Sequence, residues 1–232
     1  RTDTKVFIPF LKKLCNAYPV QRVVVDSGYE SEENYKFVDG SEQLSLFVKP
    51  ANHEQKKKRK YKTDIGRREN MAYDGEKDEY ICAQGRKLRA TAVKTRKSET
   101  GHVQKVTVYE CESCKECPVK EKCIRTKKTD KIPLEERIKR LNVSKYFACQ
   151  REAMEKKIST AEGILLRVNR SIQAEGVFAM IKEDMNFRRF LTRGNRNVQT
   201  EWYLVSMAYN IWKLHHKIQT GRLGSHLFAQ GA

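Results

Sequence analysis

A short apolar run that stops at a carboxylate constrains the fold of this chain more than any other feature. Val23-Val24-Val25 is followed by Asp26, then by Ser27-Gly28-Tyr29-Glu30-Ser31. A helix-like stretch runs from Glu30 to Val38, and a second apolar run, Leu44 to Val48, ends before Pro50. Continuous apolar runs this short read as strands covered on both faces. Strand–helix–strand order with short connections calls for a βαβ unit and a parallel pair, which puts the chain in the α/β class. Ahead of that unit, Val6, Phe7, Phe10, Leu11 and Leu14 repeat near 3.6 residues after a Thr2 or Asp3 cap. The spacing predicts a helix from Asp3 to Tyr18 that Pro19 stops.

The charge balance speaks about partners. Lys and Arg number 47 against 29 Asp and Glu, a net charge of +18 over 232 residues. Such an excess selects a polyanion as the first candidate partner. An anionic membrane competes for that role, but no apolar stretch approaches the roughly 18–20 residues a span requires. No signal peptide opens the chain; it starts at Arg1 and enters a helical pattern at once, which reads as the interior of a longer protein. Gln55 to Lys62, QKKKRKYK, reads as a solvated basic loop, with nuclear targeting as the sharper alternative.

Beyond it, Glu79–Ala83 and Val103–Tyr109 look like short β pieces around Gly85 and Gly101, and Leu134 to Ala161 like a polar helical region. Five cysteines fall in this part of the chain. Cys111, Cys114, Cys117 and Cys123 lie within thirteen residues, and Cys82 precedes them. Zinc takes four tetrahedral ligands, and a C-x2-C turn presents two sulfurs to one ion. Four of the five would make a structural Zn²⁺ site, Cys117 and Cys123 being the firmest members; reduced cysteines without metal are the bland alternative. Cys15 and Cys149 sit on helix-like segments and read as ordinary buried residues.

A second carboxylate lies in RSIQAEGVFAMIKEDMNFRRFLTRG, where Glu175 is surrounded by Arg170, Lys182, Arg188, Arg189 and Arg193. On a regular helix Lys182 falls two turns from Glu175 on one face, with Ala179 leaving that face open while Val177, Phe178 and Ile181 anchor the other. An Arg/Asn-rich turn at 193–197 follows. Then Trp202, Val205, Tyr209 and Trp212 repeat at three and four residues on a helix from Val198 to Ile218, a stripe that reads as core packing. The tail after Gly221 reads as frayed. Asp26 alone is explained as a cap of the turn after its strand. A carboxylate beside cations instead suits a site holding metal and phosphate together.

The segments VVVDSGYESEENY, RSIQAEGVFAMIKEDMNFRRFLTRG and VQTEWYLVSMAYNIWKL resemble the DDE transposases of bacterial insertion sequences. Within them, the likeness is to the group with a D-x-G-Y-x-S-x-x-N motif and a cysteine-containing insertion before the final Glu. The resemblance covers nearly the whole chain; its two end motifs are specific and its middle is looser. It implies a partial ribonuclease-H-like core, its later strands and helices, interrupted by a zinc-binding, partly β insertion. The corresponding division is 1–50 partial core, 51–160 insertion with basic loop and cysteine cluster, 161–220 C-terminal core helices, and 221–232 tail.

By that resemblance Asp26 matches the second catalytic Asp and Glu175 the catalytic Glu, together holding Mg²⁺ or Mn²⁺. Arg170, Lys182, Arg188, Arg189 and Arg193 would then bind DNA. The first Asp of the pattern has no counterpart here, since Asp3 stands at a helix start and not in a strand. The implied activity is metal-dependent cleavage and strand transfer at transposon ends in the full-length protein, with this stretch inactive by itself. The rival is a non-catalytic, zinc-stabilised DNA-binding remnant. Implied partners are transposon-end and target DNA and further copies of the chain, with no membrane, in the bacterial cytoplasm at the nucleoid.

Overall fold

The computed structural model of the protein describes residues 3–126 and 132–224, which form two compact units divided between Ser159 and Thr160. In the first unit α1 (Asp3–Ala17) precedes β1 (Arg22–Val25), α2 (Glu32–Asp39) and β2 (Ser45–Val48). The two strands pair in parallel, Val23 opposite Leu46 and Val25 opposite Val48, as the βαβ pattern requires. Phe7 and Leu11 of α1, Tyr35 and Val38 of α2 and Leu46 and Val48 of β2 share one apolar cluster. Each such aliphatic or aromatic side chain contributes roughly 1.5–3 kcal/mol when fully buried. β2 is well buried, but β1 is only half-buried, less covered than its unbroken apolar run suggests. The expected cap at Thr2 lies outside the described residues.

The basic stretch is not a loop. It forms two short helices, α3 (His53–Lys57) and α4 (Arg59–Lys62), because Tyr61 is buried and gives the segment something to fold around. A five-stranded antiparallel sheet follows in the order β3 (Ala72–Asp74), β4 (Glu79–Ile81), β5 (Lys87–Lys97), β6 (Val103–Cys111) and β7 (Arg140–Val143). The length of β5 escaped the sequence pattern, since nearly all of it is exposed and carries no apolar alternation. β7 was hidden the same way: Leu141 and Val143 are its two buried residues, set among charges that look helical. Its inward face joins Met71, Tyr80, Leu88 and Tyr109 in a second apolar cluster that also takes Cys111 and Cys114. The turn before β4 is closed by Asp78, which accepts hydrogen bonds from Tyr73 (2.7 Å), Tyr109 (2.6 Å) and Lys145 (2.6 Å).

After the short α5 (Lys120–Cys123), α6 (Lys145–Ile158) returns the chain to the first cluster through Met154, Tyr146 and Phe147. Cys15 and Cys149 are both exposed, contrary to the expected burial, because each lies on the outward face of an otherwise amphipathic helix.

The second unit is helical. α7 (Ala161–Arg170), α8 (Gly176–Ala179) and two π-helical stretches, Ser171–Glu175 and Met180–Asp184, form one continuous rod. α9 (Asn195–Gln219) begins just past Gly194, whose φ of +83° suits glycine. The Trp202, Val205, Tyr209 and Trp212 stripe is not buried core. No residue of α9 is buried: Trp202 and Tyr209 are half-covered, and Trp212 is exposed. Phe178, expected as an anchor, is likewise exposed and stacks on Trp202 at 5.8 Å between ring centroids. Ile181 is the buried anchor of that rod. The chain turns at Gly221 to Gly224, and the rest of the expected frayed tail lies outside the described residues.

Candidate functional site

Asp26 follows the last residue of β1 at the C-terminal edge of the parallel pair, where open α/β sheets present their ligands. Its backbone is extended, and its Oδ1 accepts the Gly28 amide at 2.8 Å, capping a 3₁₀ turn over Ser27–Tyr29. A Cβ on Gly28 would stand 2.9 Å from Asp26 Oδ1 and 2.9 Å from Asp3 Oδ2. Only glycine leaves both carboxylates in place. Asp3, set aside in the sequence because it opens a helix, is thus carried by α1 to the same corner as Asp26. Gly28→Ala is expected to displace the Asp26 carboxylate. A structure of the Gly28→Ala protein should show the Asp26 carboxylate turned out of its present rotamer while the thermal midpoint moves little; an unmoved carboxylate would mean the corner tolerates a methyl group.

The remaining letters of the motif brace this corner. Ser31 caps α2 by accepting from the Asn34 amide at 3.1 Å, and Asn34 Nδ2 donates back to the Tyr29 carbonyl at 2.7 Å. The Tyr29 ring packs 6.0 Å from Phe7. Glu30 is the deepest charge: its oxygens accept from Arg151 Nε (2.8 Å) and Nη2 (2.7 Å), from Tyr35 Oη (3.1 Å) and from the Ala51 amide (2.8 Å). Burial, with the Glu30 charge beside it, pushes the Tyr35 hydroxyl far up, so it remains a neutral donor. His53 heads α3 with its side chain nearly buried against Glu155, an anchoring role.

Glu175 ends the first π-helical stretch, its side chain 63% exposed. Arg170 Nη1 donates to its Oε1 at 2.7 Å and Ser171 Oγ to its Oε2 at 3.0 Å. The extra residue per π turn breaks the seven-residue spacing, and Lys182 is found over the Phe178 ring at 5.9 Å instead of beside Glu175. Lys182, Arg188 and Arg189 rim an open cleft of about 710 Å³ floored by Phe178, Ile181, Phe187, Phe190 and Trp202. The turn behind it is closed by Glu201, which accepts from the amides of Leu191 (2.9 Å) and Thr192 (3.0 Å) and from the Thr192 hydroxyl (2.7 Å). These bonds hold the Glu201 carboxylate below its ordinary pKa. Arg193 is exposed just beyond. Glu201 carried no signal in the sequence beyond its place one turn into a helix.

The five clustered cysteines line one narrow cavity, together with Lys139, Ile65 and Ile124. Cys111 Sγ donates to the Ser113 carbonyl at 3.2 Å, and Cys114 Sγ accepts the Lys139 amide at 3.3 Å. Burial, reinforced by neighbouring cysteines, pushes the Cys111 thiol up to about 12 and the Cys123 thiol upward as well. Among the described residues no three Cys, His, Asp or Glu side chains converge in a metal-holding geometry.

A family model described as a transposase DDE domain matches residues 81–215, more than half of the chain. The chain therefore belongs to the DDE transposase family, a class defined by metal-dependent nucleic-acid chemistry on a ribonuclease-H-like α/β fold. The matched stretch contains Glu175 and all five clustered cysteines; Asp26 lies before it. Neither a curated protein nor a solved structure matches the chain. No helix among the described residues is long and apolar enough to cross a membrane.

Proposed function

We propose that the chain is the later part of a DDE transposase catalytic domain that cleaves and joins DNA strands at transposon ends. The observation that carries this reading is Glu175, inside the matched family region and held by Arg170 and Ser171 among exposed cations. Asp26 and Glu175 are the proposed catalytic carboxylates, with the division into partial core, insertion and C-terminal helices as given above. The first Asp of the family pattern is not supplied by this stretch, so residues 1–232 alone are expected not to nick DNA.

Carboxylate oxygens are the hard donors that Mg²⁺ or Mn²⁺ prefers, and Asp26 and Glu175 fit that choice. A bound divalent ion supplies Lewis-acid stabilisation of phosphate oxygens and a more acidic water or 3′-hydroxyl. The chain's own residues do the positioning. Arg170 and Ser171 fix the rotamer of Glu175, and the Gly28 amide fixes that of Asp26. Lys182, Arg188, Arg189 and Arg193 offset phosphate charge and hold the strand, giving salt-dependent and largely sequence-independent affinity. Further copies of the chain would assemble on paired ends, at the nucleoid.

The cysteine cavity suits a structural Zn²⁺ in donor chemistry, since five cysteines line it and a backbone amide already points at Cys114. Protein purified without chelator should carry about one zinc per chain. A folded chain free of metal would remove zinc from the assignment and leave the thiols as a packed corner. The activity itself is tested by Mn²⁺-dependent nicking of a transposon-end duplex by the full-length protein. Salt-sensitive binding with no nicking under any divalent ion would favour the remnant reading.

A further inference from the structure

The four cations Lys58, Arg59, Lys60 and Lys62 have no role in the site described above, yet the fold holds them with care. Lys49 and Lys57 are paired with Glu54 (2.7 and 3.2 Å), and Lys56 faces Glu155 at 3.5 Å. None of the four makes an ion pair among the described residues, and all are exposed. Like charges packed into five residues repel one another, and a solvated run would relieve that by unfolding.

This one is ordered. Tyr61, in their midst, is buried; its hydroxyl accepts from Asn52 Nδ2 at 3.2 Å and its carbonyl from Asn70 Nδ2 at 2.6 Å. The Arg67 guanidinium lies 4.0 Å from the centre of its ring. Below, Asp64 accepts from the Gly66 amide at 3.1 Å and Arg67 Nε at 3.1 Å and pairs with Arg125. Lys139 Nζ then bridges the Gly66 and Cys123 carbonyls at 2.6 and 2.9 Å, fastening this end to the cysteine corner. A Cβ on Gly66 would stand 2.4 Å from the Cys123 carbonyl oxygen, so the two backbones touch. The other end is fastened beside the catalytic corner, because the Ala51 amide donates to Glu30, four residues beyond Asp26.

From this we infer that α3–α4 is a rigid phosphate-binding platform. It would grip the DNA backbone flanking the scissile position, with Lys58, Arg59, Lys60 and Lys62 as the contacts. The inference rests on the transposase reading for the identity of the polyanion and for the significance of Asp26. Two one-turn helices joined through the extended Lys58, and anchored by the buried tyrosine, keep the cations at fixed spacing, which a free tail cannot do. Contacts of this kind position a duplex without reading its sequence.

The test uses the full-length protein with Lys58, Arg59, Lys60 and Lys62 all changed to Gln, measured against a matched change of Lys94, Arg96, Lys97 and Lys105 on the β5–β6 hairpin. Each phosphate contact contributes about 0.9 to the slope of log K against log salt. The platform variant should lose roughly 3 from that slope and about 10²- to 10³-fold in duplex affinity near 0.1 M salt. Its circular dichroism and zinc content should be unchanged, and its discrimination between end and random sequence preserved. An equal loss in the hairpin variant would mean that net charge alone matters and would overturn the proposal. So would an unchanged slope, or a loss confined to binding of phosphatidylglycerol vesicles. A protein that never nicks DNA but shows the platform-specific slope change would refute the enzyme reading and leave the platform standing.

Discussion

Arg151→Ala should destabilise the first unit by about 3–5 kcal/mol, the largest stability effect expected of any single change outside the apolar clusters. The Glu30 side chain is only 1% exposed, and Arg151 supplies two of its four hydrogen bonds. Truncation leaves a buried carboxylate with the Tyr35 hydroxyl and the Ala51 amide, neither of which carries charge. It also removes the guanidinium stacked 4.6 Å from the centre of the Phe147 ring. Urea unfolding of the purified chain would report the change as a lower midpoint at constant slope. Adding Glu30→Gln to the same chain should recover part of the loss, because the stranded charge goes with it. A single-mutant loss below about 1 kcal/mol would show that water reaches Glu30 and that the pair behaves as an exposed one.

Glu175→Gln should leave DNA binding intact and remove nicking. The amide keeps the size of the side chain and can still accept from Arg170, but it is a poor ligand for a hard divalent ion. Loss of several kcal/mol of metal-based transition-state stabilisation corresponds to at least about 10³-fold in rate. The measurement is single-turnover nicking of a labelled transposon-end duplex by full-length protein in Mn²⁺, with affinity followed on the same duplex. Parent-like nicking by the Gln variant would refute the assignment of Glu175. Equal losses of binding and nicking would instead make it a scaffold for Arg170.

Much of the first unit was legible because its signals are local. The apolar runs at Val23 and Leu44 gave two strands, their spacing gave the parallel pairing, and the helix-like stretch read from Glu30 to Val38 lies close to α2. What stayed hidden depended on partners distant in sequence. Glu30 reads as one of several acidic residues until Arg151 arrives from α6. Tyr61 looks like an interruption in a basic run until Asn52 and Asn70 close around it. β5 is an exposed strand held mainly by hydrogen bonds to β6, so its side chains carry no periodic signal. Asp26 and Glu175 were singled out by motif, each on its own unit, whereas the alignment of Lys182 with Glu175 failed. That alignment assumed 3.6 residues per turn, and the rod is π-helical on either side of α8. The apolar repeat along α9 is real, but periodicity reports only that a face is apolar, not that anything covers it.

The Glu30 carboxylate has a consequence for how such a protein can vary. The chain departs from the parallel pair at Ala51 and comes back along α6 at Arg151, and both points are hydrogen-bonded to that one side chain. The long excursion between them is therefore plugged into a socket. With its ends held, lengthening or shortening the excursion changes loop entropy only slowly and need not disturb the corner that carries Asp26. Lineages could exchange the cysteine-bearing sheet like an interchangeable tool head on an unchanged handle.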